Sequence, residues 1–381
     1  MENTSKRYIV ESDKIAHNIA VIREKTGNAM VYAVVKCDGY GTGCHNLARV
    51  CAENGLRRFA VTEVREALAV VAQIQPEELL MLTSVTSMED VQALDACGAT
   101  FTVASQADAQ LLQQYCEETG KQVCAHLKID TGMGRRGFLP EQAEEVVCLY
   151  ARFPQIRFTG IYTHFGHAFD PKATKQQFEK FRIVLAALEK AGIDPGVRHC
   201  CNSVSIFHHG EMALDAVRAG SCLLGRILSG SKFGLQRTGV CQAPIECVRT
   251  LPKGSTIGYG GIYRTTKETK VALCSVGGHT GFGPHFAPIN TGGELHIDNL
   301  CIVHTVVQTR QNALGRRYSG VVTLENLGRN DVAVFVLGAL LGEGQRGVPQ
   351  GVQHQTGLLL QRQVGNHIGG ADLVGVSPVF I

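Results

Sequence analysis

From Tyr32 to Gly225 short apolar runs alternate with stretches whose apolar residues recur every three or four positions. The runs Val31–Lys36, Arg58–Val61, Leu79–Leu82, Thr100–Val103, Val123–Ile129, Phe158–Thr163, Val197–Cys201 and Ala213–Val217 read as strands. They are too short for buried helices and are bounded by turn residues. Glu63–Ala72, Ser105–Glu118, Glu141–Phe153 and Lys175–Ala191 carry helical spacing between them. Eight such repeats predict an α/β class chain with an N-terminal (β/α)8 TIM-like barrel. Beyond about residue 235 the helical period fades. Short strand-like runs separated by glycines replace it: Pro244–Thr250, Thr269–Ser275, Glu294–Ile297, Cys301–Val307, Tyr318–Leu324, Asp331–Leu337, Gly357–Gln361 and Asp372–Val376. The expectation is a barrel domain over 1–235 and a C-terminal all-β domain over 236–381.

Strand ends of a barrel gather at one mouth, so residues distant in sequence can meet there. Lys36, the segment after Lys128, His164, Asn202-Ser203 and Arg218 all lie at or just past such ends. Lys36 closes an apolar run and opens the glycine-rich Cys-Asp-Gly-Tyr40-Gly-Thr-Gly. Desolvation there disfavours the ammonium and frees an amine to condense with an aldehyde. A lone lysine so placed more often snorkels to a surface carboxylate. Asn202-Ser203 and Arg218-Ala-Gly220-Ser221 offer backbone N–H groups at a helix start and a glycine turn, which suits phosphate. Each is also an ordinary N-cap or tight turn. The segment from His126 to Gly137 is dense in charge and glycine, and Arg135 within it could grip a carboxylate bidentately or sit on a surface turn. His164 could contact a ring or serve the core. Tyr259, between Gly258 and Gly260, is a general base only if its surroundings lower its pKa; otherwise it packs.

The formal charge of +3 and the lack of a basic run set nucleic acid aside as a partner. Met1 to Tyr8 has no apolar secretory core, and no stretch is long and apolar enough to span a bilayer, so no membrane partner is expected. Fourteen cysteines are present without a C-x-x-C pair, and many lie in apolar segments. They read as small buried hydrophobes of a reducing cytoplasm, with no metal site.

Taken together, the pattern Ala-Val-Val-Lys-x-Asp-x-Tyr-Gly-x-Gly at 33–43, Lys-Ile-Asp-Thr-Gly-Met-Gly-Arg at 128–135, His164, Asn202-Ser203 and Val-Arg-x-Gly at 217–220 resemble the alanine racemase family. The resemblance covers nearly the whole chain and implies a barrel, a β-domain and pyridoxal 5′-phosphate as cofactor. It implies that Lys36 binds the cofactor covalently. Tyr40 would contact its phosphate or pack beside it, with Ser203, Gly220 and Ser221 completing that cradle; His164 would lean on its ring, and Arg218 would donate to its ring nitrogen. Arg135 would meet the substrate carboxylate, with Lys128 as a lysine open to carbamylation. Lys36 and Tyr259 would be the two bases on opposite faces of the substrate Cα, Tyr259 coming from the second subunit of a homodimer. Asp298 and the neighbouring Ile297 match the segment that shapes the partner's site.

Three segments depart from the family pattern. Its Cys-Met-Asp-Gln is His296-Ile297-Asp298-Asn299, its Gly-Tyr-x-Asp-Gly is Gly277-Gly278-His279-Thr280-Gly281, and its terminal Val-Pro-Arg-x-Tyr region reads Val376-Ser-Pro378-Val-Phe380-Ile381. The entrance changes while both bases stay, which implies a two-base amino-acid racemase acting on a small amino acid that need not be alanine. The alternative is another carbanion chemistry on the same cofactor, such as amino-acid decarboxylation. A cofactor-carrying barrel would lack residues 236–381, and a regulator that kept the fold without turnover also stays open.

Overall fold

The computed structural model describes residues 7–227, 230–242, 245–257, 263–265 and 268–274, and beyond them the short strands 295–297, 300–303, 305–306, 310–311, 317–318, 321–324 and 332–335. They divide into two compact units that part between Cys241 and Gln242.

In the first unit eight parallel strands close into a barrel: β1 Met30–Val34, β2 Arg58–Val61, β3 Glu78–Met81, β4 Ala99–Val103, β5 Val123–Lys128, β6 Ile156–Tyr162, β7 Val197–His199 and β8 Ala216–Ala219. Pairing of β8 with β1, Met30 against Ala216 and Tyr32 against Arg218, completes the ring. After α1 (Ser12–Thr26), the connecting helices are α2 Cys44–Glu53, α3 Val64–Val71, α4 Met88–Ala96, α5 Gln106–Thr119, α6 Ala143–Arg152, α7 Pro171–Lys190 and α8 Ser203–His208. Side chains of Ser87, Ser105, Asp170 and Asn202 each accept backbone N–H groups at a helix start, which fixes where α4, α5, α7 and α8 begin.

The period of two along each strand sorts its residues between two environments. Phe59, Val61, Leu79, Met81, Phe101, Val103, Leu127, Ile161 and Val217 join the core between strands and helices. The alternate residues share the barrel interior. Tyr32, Val34, Ala60, Leu80 and Ala216 form a small apolar cluster there. The same parity places Thr100, Thr102, His126, Lys128, His199 and Arg218 on the inward face, all buried. Branched aliphatic residues usually fill such an interior. Here much of the rest is polar, and each polar group needs a partner.

The last barrel strand differs from the sequence expectation. It runs over 216–219 instead of 213–217, because Gly210–Met212 forms a 3-10 turn that Ala213 terminates, and Asp215 turns to grip Arg198 at 2.7 and 2.9 Å. Arg218 therefore lies within the strand. The strand expected at 197–201 ends at His199.

In the second unit, Ile245–Leu251, Thr269–Cys274, Val332–Phe335, Val321–Leu324 and Thr305–Val306 form a five-stranded sheet in that order. The pairing of Thr269–Cys274 with Val332–Phe335 is parallel, and the others are antiparallel. The strands expected at 357–361 and 372–376 lie outside the described residues.

Candidate active site

Lys36 stands two residues past the end of β1, which stops at Val34 instead of running to Lys36, and opens a left-handed turn. Cys37, Asp38, Gly39 and Tyr40 have φ values of 54°, 49°, 61° and 55°. For the three non-glycine residues this conformation costs roughly 3–6 kcal/mol in all, at ~1–2 kcal/mol each. Hydrogen bonds on every side hold it. Gly39 N–H donates to Val35 O and Gly43 N–H to Asp38 O, both at 2.9 Å. Asp38 Oδ1 accepts from Cys44 N–H at 2.9 Å, and Arg226 donates to Tyr40 O at 2.9 Å. Glu66, 2% exposed on α3, accepts the Asp38 N–H with Oε1 at 3.1 Å and the Thr62 N–H with Oε2 at 2.9 Å. The turn keeps Lys36 half-buried at the mouth and sends Tyr40 back across the barrel end.

Tyr40 arrives at Gly220. A β-carbon built on Gly220 would lie 2.0 Å from Tyr40 Oη, so no other residue fits at 220 without moving the phenol. Beside them Ser203 Oγ accepts the N–H of Gly220 at 3.0 Å and of Cys222 at 3.3 Å, which leaves its own proton free to donate. Asn202 caps α8 through the N–H groups of Val204 and Ser205 at 3.1 and 3.2 Å. Burial pushes the Tyr40 phenol up, so it stays a neutral donor. Tyr40, Ser203 and Gly220 thus form one cradle, with Ser221 starting the 3-10 turn Ser221–Leu224 next to it.

Arg218, 4% exposed, is held by neutral acceptors. Its guanidinium donates to Thr163 O at 2.7 Å, to His199 Nδ1 at 2.8 Å, to Cys200 O at 3.2 Å and to His164 Nδ1 at 3.3 Å. Burial, then the charges of Arg218, Lys128, Arg135 and Lys36, hold His164 far below its ordinary range, so the ring is neutral. Arg218 is thus the cation in direct contact with this half-buried imidazole. The Asp130 carboxylate is spent within its own loop, accepting N–H groups from Gly132, Met133, Gly134 and Arg135 at 2.7–3.2 Å. Those bonds shape the loop that carries Arg135, whose side chain is exposed.

Lys128 is 6% exposed, lies 4.8 Å over the Tyr162 ring, and has no carboxylate in ion-pair contact among the described residues. Burial first, and then the neighbouring Arg218 and Arg135, lower its pKa to about 7. A large fraction of its amine is neutral near that pH, which makes it nucleophilic.

Tyr259 and Asp298 lie outside the described residues, as do Gly278 and His279; Ile297 ends the strand Leu295–Ile297 of the second unit. Sequence reading passed over Tyr162 and His199. Tyr162 stacks on His199 at 4.8 Å and its hydroxyl reaches Leu82 O at 3.3 Å and Thr102 Oγ1 at 2.9 Å. Their inward parity on β6 and β7 was the available sign.

Residues 10–227 match the family described as "Alanine racemase, N-terminal domain". The alanine racemase of Methanococcus maripaludis is 34% identical over 281 residues, covering 72% of this chain and 75% of the relative. That of Desulforamulus reducens is 35% identical over 282 residues, covering 72% and 76%. Among solved structures, the alanine racemase of Streptomyces coelicolor A3(2) superposes with a TM-score of 0.71 at 24% identity, over 88% of this chain and 86% of that one, a likeness of fold.

Proposed function

Since the chain belongs to the alanine racemase family, we propose that it interconverts the L and D forms of a small amino acid with pyridoxal phosphate bound at Lys36. It is an isomerase by membership. The Arg218 guanidinium donating to neutral His164, beside the half-buried Lys36 and the cradle of Tyr40, Ser203 and Gly220, carries the reading, because such a mouth suits an anionic ligand.

The residues fit the cofactor. Tyr40 Oη against the bare Cα of Gly220, with the Ser203 hydroxyl adjacent, makes a cradle of neutral donors for a phosphate. Backbone N–H groups at the start of the turn Ser221–Leu224 would add to it. When bound, the cofactor supplies an aldehyde carbon for amine capture and a conjugated ring that takes up negative charge from the substrate Cα. Arg218 would face the ring nitrogen. A guanidinium only donates, so it leaves that nitrogen without a proton and limits how long the charge persists. His164, held neutral, would lie against the ring without adding charge.

Lys36 would then serve one face of the substrate, taking or returning the proton at Cα. Tyr259 would serve the other, with Asp298 and Ile297, from the second subunit of a homodimer. Arg135 would receive the substrate carboxylate, and Lys128, carbamylated through its neutral amine, would turn from a repelling cation into an anion that steadies Arg135. The six buried thiols Cys44, Cys51, Cys116, Cys200, Cys201 and Cys222 are free and suit a reducing cytoplasm.

A panel of single-enantiomer amino acids, including basic, polar and bulky ones, tests this by chiral chromatography. Appearance of the opposite enantiomer supports it. Release of carbon dioxide with an amine, and no enantiomer exchange, would move the chain to decarboxylation.

A further inference from the structure

Arg218 has a second side, pointing away from His164 and into the barrel. Its Nη1 donates to His199 Nδ1 at 2.8 Å; His199 Nε2 lies 2.9 Å from His126 Nδ1, and His126 Nε2 lies 3.2 Å from Glu78 Oε1. Glu78 Oε2 accepts the Tyr32 hydroxyl at 2.6 Å. The chain runs through the barrel interior, from β8 to the first residue of β3, where Glu78 is 18% exposed beside Arg58 at 3.8 Å. Both imidazoles are wholly buried.

Chemistry fixes the direction of this chain. A guanidinium has no acceptor, so His199 Nδ1 must present its lone pair. A neutral His199 then carries its proton on Nε2 and donates to His126 Nδ1. By the same logic His126 carries its proton on Nε2 and aims it at Glu78. His199 is held neutral by burial first and by the charge of Arg218 after it. Burial raises the Glu78 carboxyl, while His126, Tyr32 and Arg58 pull it further down, so it stays ionised. His126 Nε2 and Glu78 Oε1 are fully buried and have no well-aligned hydrogen bond, so this 3.2 Å approach is the one contact that relieves both.

The barrel is built to admit this chain. Across from His126, a β-carbon on Gly160 would come within 2.5 Å of the ring, and the β5–β6 register shifts at that point. Tyr162 and Tyr32 stack on His199 at 4.8 and 5.3 Å and hold its plane.

We propose that Glu78, His126 and His199 are positioning residues for Arg218, a one-way series of donors that orients the guanidinium and spreads the Glu78 charge toward it. The inference rests on the reading that Arg218 faces the cofactor ring nitrogen. With the far carboxylate in place, Arg218 is a fixed and weakened donor; without it, His199 loses basicity and Arg218 donates more strongly to the ring.

The test uses the full chain labelled with 15N-histidine, with and without pyridoxal phosphate, as wild type, Glu78→Gln and Tyr32→Phe. Wild-type His199 and His126 should both show protonated Nε2 and bare Nδ1. Glu78→Gln should move both sets of ring-nitrogen resonances, shift the absorption band of the bound cofactor, and lower kcat about tenfold, the smaller end of what losing an outer partner costs a ligating histidine. Its KM should stay within about twofold. Tyr32→Phe, which frees charge on Glu78 for His126, should move the resonances in the opposite sense. His199 protonated on Nδ1, or resonances of His199 that ignore Glu78→Gln, or equal shifts in both variants, would overturn the relay. A chain that binds no pyridoxal phosphate would sink the functional reading instead, while the ring-nitrogen resonances would still decide the relay.

Discussion

Tyr40 Oη occupies the space that a side chain on Gly220 would need, with 2.0 Å between the hydroxyl oxygen and a β-carbon placed there. Two loops far apart in sequence are thereby locked to one another at the proposed phosphate cradle. Gly220→Ala should push the phenol out while leaving the barrel folded. Affinity for pyridoxal phosphate, read by fluorescence titration, should fall about tenfold, the ~1.4 kcal/mol of one displaced donor. Unchanged affinity would remove Tyr40 from the cradle.

Glu66 secures the left-handed turn from outside, through the Asp38 N–H. Glu66→Ala removes the acceptor of that N–H and of the Thr62 N–H, both only partly buried, at about 0.5–1.5 kcal/mol for each hydrogen bond. The denaturation midpoint should drop accordingly, and activity should fall more than stability because Lys36 begins the same turn. A variant as stable and as active as the wild type would show that the turn holds itself.

Lys128 makes a pH prediction. Its pKa is lowered to about 7 in the folded chain, against about 10.4 for a free lysine. Between those values the unfolded chain binds more protons, so the lysine's contribution makes stability rise with pH. In buffer free of carbon dioxide, the stability difference between wild type and Lys128→Met should change in the wild type's favour from pH 7 to pH 9. With 13C-bicarbonate, the wild type should show a carbamate resonance that the variant lacks. A flat difference would place the ammonium in water.

Lys36 should be the site of covalent attachment. Borohydride reduction of the cofactor-loaded chain followed by peptide mass analysis should find the adduct on the peptide carrying Lys36, and Lys36→Ala should give none. An adduct on Lys128 would exchange the two lysines' roles.

The barrel was legible because its strands and helices are contiguous stretches with their own period, and Lys36 and Ser203 follow from where those stretches end, whereas Arg218 lies within its strand. Less was legible where closure of the ring matters. His199, His126 and Glu78 lie on three strands, and only the parity of each strand in a closed barrel puts them in one line. The left-handed turn was hidden too. Gly39 and Asp38 hint at it, but Cys37 and Tyr40 carry no such preference, and the turn is held by Glu66 and Arg226. The run Ala213–Val217 misled because apolar residues leaving a 3-10 turn look like the start of a strand.

The most direct test of the whole account is hydrogen exchange at the substrate Cα in deuterium oxide, started separately from each enantiomer of alanine and of the amino acid that the panel selects. Two bases on opposite faces predict deuterium at Cα and formation of the opposite enantiomer from either starting form, abolished in Lys36→Ala. No Cα exchange with any amino acid, in a chain shown to hold pyridoxal phosphate, would contradict it.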